Sequence, residues 1–322
     1  MSRIAAALVL SSAALTSIAA QHPDYPTRPI RMVVPFSPGG TSDTLARILG
    51  QKMTEGWGQQ IVVDTRPGAS GIIGTEMAAR AAADGYTLLH GNLSQFATNP
   101  YLYSRIPYDT FRDFVPLAQV GTAPQLLVVH PGLAAKSVSE LIALAKARPG
   151  QLNFGSGGAG TLASLGGEMF RMQSGINIVH VPYKGTVLAL NDLIAGQVQM
   201  LFSDMPIALP HAKSGRLRAI AVTGAKRTPL YPEMRTVAES GLPGYALDNW
   251  WGILAPKNTP KDISAKLSVE IVRIHTLADV KERYASLGIE ALAGTPEEFG
   301  AYIKSEAAKF SKVIRESGAK VD

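Results

Sequence analysis

The 322-residue sequence contains no cysteine, which removes a disulfide framework, a thiolate nucleophile and a thiolate metal site together. Charged residues make up only 17% of the chain. They are scattered, as in RTPLYPEMR and KSGRLR, with no long basic run and no basic stripe interleaved with aromatics, which argues against nucleic acid as a partner. H-E-x-x-H and G-x-S-x-G, the spacings of a zinc-peptidase helix and a hydrolase elbow, are both absent. The six histidines, His22, His90, His130, His180, His211 and His275, are far apart in sequence and form no ligand set. Beyond the first residues no apolar run approaches the roughly 20 residues that span a bilayer.

What is present begins at the N-terminus. Residues 1–20 carry one positive charge at Arg3, an apolar run from Ile4 to Leu15 and small residues at Ala19 and Ala20. This reads as an export signal cleaved after either alanine, the alternative being the frayed helix of a cytoplasmic protein. About 300 residues then remain, enough for two lobes with their own cores. The formal charge of +6 would favour the approach of a small anion, although net charge alone identifies no partner.

Along the mature chain, β-branched runs alternate with amphipathic segments. IRMVVPF reads as a strand, and the helix after it places Leu45, Ile48, Leu49 and Met53 on one face. QQIVVDTRPG, TLLHG, LNFGS, IVHVPY, VQMLFSD and LRAIAVTG read as further strands separated by helices. YDTFRDFVPLAQVGTAP reads as irregular chain leading into the strand QLLVVHP. The pattern predicts an α/β fold of two lobes, with parallel-rich sheets flanked by helices. DNWWGILAP and three C-terminal helices lack the strands for a third domain and are expected to return to the first lobe. The expected organisation is residues 21–125 plus 226–322 as lobe 1 and 126–225 as lobe 2, with ligand in the cleft between them.

Two glycine turns carry the chemistry. In VVPFSPGGTSDTLAR, Gly39 and Gly40 let backbone N–H groups approach a ligand, and the first turn of the following helix offers unpaired donors to an anion. In FGSGGAGTLASL, Ser156, Gly157, Gly158, Gly160 and Thr161 repeat the arrangement. One such turn in each lobe makes a clamp; a tight turn with a capped helix and no ligand is the plainer alternative. Gly155, Gly157 and Gly160 also spell G-x-G-x-x-G, but the next strand ends without the acidic residue a dinucleotide ribose needs. Asn92 and Ser94 follow a strand end, where they line a cleft or cap the chain. Lys184 and Thr186 follow another, and Asp204 a third, where it would repel a carboxylate and accept instead from a hydroxyl, an amine or water. Ser156, His180 and Asp204 can be drawn as a triad, although nothing in their spacing enforces it.

In order along the chain, YPTRPIRMVVPFSPGGTSDTLAR, VVDTRPGASGIIGTE, ADGYTLL, RDFVPLAQVG, LNFGSGGAGTLASLGGEMF, VPYKG and WGILAPKNTP resemble the periplasmic substrate-binding components of tripartite tricarboxylate transporters, across nearly the whole mature chain. The resemblance implies a Venus-flytrap pair of lobes (type II-like), capture of a small carboxylate without catalysis, no cofactor or metal, and delivery by a periplasmic monomer to a multi-span membrane permease. It implies ligand contacts at Ser37, Gly40, Thr41 and Asp43 on one side and at Ser156, Gly158 and Thr161 on the other. Ser70, Asn92, Ser94, Lys184, Thr186 and Asp204 form a second tier. Where the family commonly has a histidine after the second turn, this chain has Leu162 and Ala163. Phe36, Phe96, Tyr183, Trp250 and Trp251 could face the ligand or the core. Carboxylate sensing for a signalling partner and an exported hydrolase are the competing readings. The ligand itself could be a di- or tricarboxylate, an acidic amino acid or an aromatic acid.

Overall fold

The computed structural model describes residues 24–317, 320 and 321; the proposed export signal lies outside the described residues. Among the described residues, ten strands run in the order β1 (Ile30–Val34), β2 (Ile61–Thr65), β3 (Thr87–Asn92), β4 (Phe114–Val129), β5 (Asn153–Ser156), β6 (Val179–Pro182), β7 (Met200–Asp204), β8 (Arg218–Val222), β9 (Asp248–Pro256) and β10 (Glu290–Ala291). The helices between them are α1 (Thr41–Trp57), α2 (Ile72–Ala79), α3 (Asn99–Leu102), α4 (Val138–Ala147), α5 (Leu162–Ser174), α6 (Thr186–Ile194) and α7 (Met205–Lys213). After β9 come α8 (Lys261–Thr276), α9 (Ala278–Ser286) and, following β10, α10 (Pro296–Ser317).

The main path through the sheet is β2-β1-β3-β9-β4-β7-β5-β6. Both flanks are parallel, β2-β1-β3 on one side and β7-β5-β6 on the other. At the centre, β9 runs antiparallel to β3 and β4, and β4 runs antiparallel to β7 and β8. Helices cover this α/β framework, which is the architecture the alternating pattern implies.

The segment expected to be irregular is instead the longest strand. β4 has 16 residues; Phe114–Pro124 pair with β9, and Gln125–Val129 pair with β7 and β8. Pro116, Gly121 and Pro124 disguise it in the sequence. The ladder with β9 accommodates them through register shifts between Pro116 and Ala118 and between Gln119 and Gly121, because a bulge relieves the residue that cannot pair. The chain therefore passes from one half of the sheet to the other inside a single strand, at Pro124 and Gln125.

The cores follow the amphipathic patterns. Leu45, Leu49 and Met53 of α1 pack with Ile30 and Met32 of β1 and with Ile263, Leu267 and Ile271 of α8, so the C-terminal α8 rests on the same core as the first β-α unit. Fully burying side chains of this size stabilises by roughly 1.5–3 kcal/mol each. Phe299 of α10 meets Trp250 edge-on at 5.6 Å and 83°, which ties α10 to β9. Trp250 and Trp251 are both fully buried, so neither of this adjacent pair faces solvent.

Helix starts differ in a way that matters for the site. Ser137 caps α4 by accepting from Glu140 N–H, and Thr161 caps α5 by accepting from Ser164 N–H. By contrast, α1 begins after Gly40 and α6 after Gly185, and neither has a side-chain cap. Their first-turn N–H groups lack intrahelical partners by geometry.

Candidate functional site

The turns before α1, α5 and α6 converge. Gly40, Thr41 and Ser42, then Thr161, Leu162 and Ala163, then Gly185, Thr186 and Val187 all border one cavity of about 50 Å³. That is roughly the space of a carboxylate and the one or two carbons next to it. Three helix N-termini aimed at one small space give it a positive potential, and two of them are uncapped. A wider cavity of about 400 Å³ lies beside it, bordered by Phe36, Ser37, Ser70, Gly158, Tyr183 and Lys184. Phe36, Ser37, Gly157 and Gly185 belong to both walls.

Hydrogen bonds close the cleft across these turns. Ser37 Oγ donates to Lys184 O at 3.0 Å, Thr98 Oγ1 to Gly160 O at 3.2 Å, and Tyr103 OH to Ala159 O at 3.3 Å. Ser70 Oγ also donates to Ala159 O. Ser70 sits at φ 52°, a left-handed conformation that costs a non-glycine residue about 1–2 kcal/mol. Its carbonyl accepts from Asn99 Nδ2 at 3.0 Å, a bond that holds it there.

The sequence-derived candidates fall into three groups. Ser37, Gly40, Thr41, Asn92, Ser94, Thr161, Thr186 and Asp204 border the smaller cavity. Ser70, Gly158 and Lys184 border the wider one. Asp43 and Ser156 border neither and act behind the turns. Asp43 accepts from Gly39 N–H through Oδ2 at 2.9 Å, and its Oδ1 lies 2.9 Å from Arg47 Nε, so its carboxylate shapes the first turn. Ser156 Oγ is fully buried, accepts from Gly158 N–H at 3.1 Å and lies 2.7 Å from His180 Nε2. Among the aromatics, Phe36 and Tyr183 border a cavity, whereas Phe96, Trp250 and Trp251 are core.

The triad drawn from the sequence does not assemble. Asp204 Oδ1 accepts from Gln125 Nε2 at 3.2 Å and from Asn249 Nδ2 at 3.0 Å, and Ser156 has no surface open to a substrate. His180 stacks on Phe154 at 4.7 Å, and burial lowers its pKa, so the ring is a neutral support for the second glycine turn. Among the described residues no group of three or more His, Cys, Asp or Glu is placed to hold a metal ion.

Gln125 and Asn249 are site residues that sequence reasoning missed. They stand where β4 leaves its pairing with β9 and where β9 begins, and they form the floor of the smaller cavity with Asp204. Burial raises the Asp204 pKa above the ordinary carboxylate value, against the smaller lowering effects of the Asn249, Gln125 and Thr41 contacts. A carboxyl raised on folding binds protons more readily in the folded state, so it lowers stability as pH rises through the interval between the two values. Asp204→Asn keeps an acceptor for both amides and removes the charge. The ligand-free variant is expected to melt a few degrees above the parent at pH 7, with the gap narrowing as pH falls toward the carboxylate range; calorimetry across pH measures this.

Two α/β halves whose glycine turns close over a polar cavity define a two-lobed solute-binding receptor. The family model described as "Tripartite tricarboxylate transporter family receptor" matches residues 45–319. The chain is 39% identical over 298 residues to protein BugT of Bordetella pertussis, covering 92% of this chain and 91% of BugT. It is 38% identical over 315 residues to a protein from the tcbD-tcbE intergenic region of Pseudomonas sp. strain P51, covering 98% and 94% of the two chains. Among solved structures, Rhodopseudomonas palustris Rpa4515 with adipate superposes with a TM-score of 0.90 at 35% identity, covering 92% of this chain and all of that one. MatC from the same organism, with bound malate, gives 0.85 at 29%, covering 90% of this chain and all of its own. The chain belongs to the tripartite tricarboxylate transporter receptor family, a family of solute-binding receptors and not of enzymes.

Proposed function

We propose that this protein captures a small carboxylate in the periplasm and presents it to a multi-span membrane permease, without changing it chemically. The observation that carries the reading is the convergence of the uncapped N-termini of α1 and α6 with that of α5 on one small cavity. Backbone N–H groups at helix starts favour an anion by up to about 2 kcal/mol when partly buried. The adipate and malate in the two structural neighbours support the ligand class. Among the described residues no helix is long and apolar enough to cross a membrane, which fits a receptor that works beside its permease.

In this reading residues 1–20 are the export signal, residues 21–125 plus 226–322 form lobe 1, and residues 126–225 form lobe 2. A ligand carboxylate meets N–H donors of both lobes only when they close, so it shifts the population toward the closed form. The bonds from Ser37 to Lys184 and from Ser70 to Ala159 form in that closed state. The protein acts as a monomer, and its closed surface is what the permease recognises.

Thermal unfolding of refolded, ligand-stripped mature protein against mono-, di- and tricarboxylates, acidic amino acids and aromatic acids tests the reading. At a hundredfold excess over Kd one acid adds about 2.7 kcal/mol of stability, a midpoint rise of several degrees, and its amide or ester does not. No shift with any acid, in protein shown to be folded and empty, would refute it.

A further inference from the structure

The smaller cavity has two chemically different walls. Its rim is built from helix N-termini, whose N–H groups donate. Its floor is built from acceptors: Gln125 Oε1 is buried without a hydrogen-bond partner, and beside it stands the Asp204 carboxylate, which takes both of its amide donors on Oδ1. The orientation of Asn249 is set from behind, because its own Oδ1 accepts from Trp250 N–H at 3.0 Å. Among the described residues no lysine, arginine or histidine borders this cavity; Lys184 is on the wider one. A plain carboxylate held at the rim therefore faces a second carboxylate with no cation between them, in a space of about 50 Å³. Like charges enclosed in one small cavity oppose each other, and the orphaned Gln125 acceptor stays unsatisfied.

A ligand that matches both walls carries a carboxylate for the rim and a hydrogen-bond donor on the adjoining carbon for the floor. Resting on the carboxylate-receptor reading above, we infer that Asp204 and Gln125 are specificity residues that select 2-hydroxy or 2-amino carboxylates over the unsubstituted acids. Hydroxyl and ammonium share the donor chemistry; the ammonium also neutralises Asp204. The remainder of the ligand extends into the wider cavity, toward Lys184.

Isothermal titration of the stripped mature protein with matched pairs separates the possibilities: succinate against malate and aspartate, and glutarate against 2-hydroxyglutarate and glutamate, in both enantiomers. The expected result is that the donor-bearing acid of at least one set binds roughly tenfold or more tighter than its unsubstituted partner. A hydroxy acid ahead of the amino acid identifies a neutral donor, and the reverse order an ammonium. Asp204→Asn is expected to bind the unsubstituted acid more tightly than the parent does and to lose most of the discrimination. Equal affinity for substituted and unsubstituted acids would overturn the inference while leaving the receptor reading intact, and this comparison needs no variant. Absence of binding by every acid would overturn both.

Discussion

Gly157→Val is expected to lower affinity for the carboxylate ligand roughly a hundredfold, about 2.7 kcal/mol, while the protein still folds. A Cβ at Gly157 would lie 2.7 Å from Thr186 Oγ1 and 3.0 Å from Thr186 N, against the uncapped start of α6. The backbone at Gly157 is outside the left-handed region, so the cost is one of space. The branched side chain fills the point where the two cavities meet and screens N–H groups that would each give an anion a charge-assisted bond of about 1.5–3 kcal/mol. Overpacking one turn costs on the order of 1–3 kcal/mol of stability. Circular dichroism and titration on the same sample separate the two effects, and a variant that binds as tightly as the parent would place the anion elsewhere.

Stability is expected to fall steeply between pH 6.5 and about 4, ahead of ordinary acid unfolding. His90 is fully buried in β3 with neither ring nitrogen in hydrogen-bond geometry with a partner, and burial depresses its pKa to about 3, against raising effects of its own backbone and of Asp43 and with nearby His275 adding to the depression. His275 is held by Ile271 O and Tyr284 OH at 2.7 and 2.9 Å, and burial lowers it to about 4. Each ring stays neutral in the folded state while the unfolded chain takes up a proton from about pH 6.5 downward. The stability they confer is therefore complete above the unfolded value and is lost as pH falls through the window. Each contributes a slope approaching 1.4 kcal/mol per pH unit. Asp204 and Asp248, both raised by burial, act with the opposite sign just above the ordinary carboxylate value. The difference between parent and His90→Leu isolates the histidine: from pH 7 to 4 the gap in denaturant midpoint should shift in favour of the variant, because only the parent carries the titrating ring, and a gap independent of pH would contradict the assignment.

What was legible in the sequence was local. The glycine pair before Thr41 and the apolar spacing of Leu45, Leu49 and Met53 lie within one strand-turn-helix unit, and the structure has that unit. The second glycine turn before α5 and the strand ends near Asn92, Lys184 and Asp204 were legible for the same reason. β4 was not, because two prolines and a glycine break its pattern and its ladder is supplied by β9, over a hundred residues later. Gln125 and Asn249 were missed with it: what makes them site residues is pairing distant in sequence that brings β4, β7 and β9 to one point. Asp43 and Ser156 stand in these turns, and their side chains satisfy backbone N–H groups of the turns themselves, a local role that the residue types alone do not separate from ligand contact. The adjacent tryptophans gave no local sign of facing inward together; both do, because β9 is covered on both faces.

A crystal of the protein with its tightest-binding carboxylate locates the anion directly. Carboxylate oxygens are expected within about 3 Å of first-turn N–H groups of both α1 and α6, with the rest of the ligand directed into the wider cavity. A carboxylate bound only to side chains of the wider cavity, or contacting one lobe alone with the cleft closed, would contradict this placement.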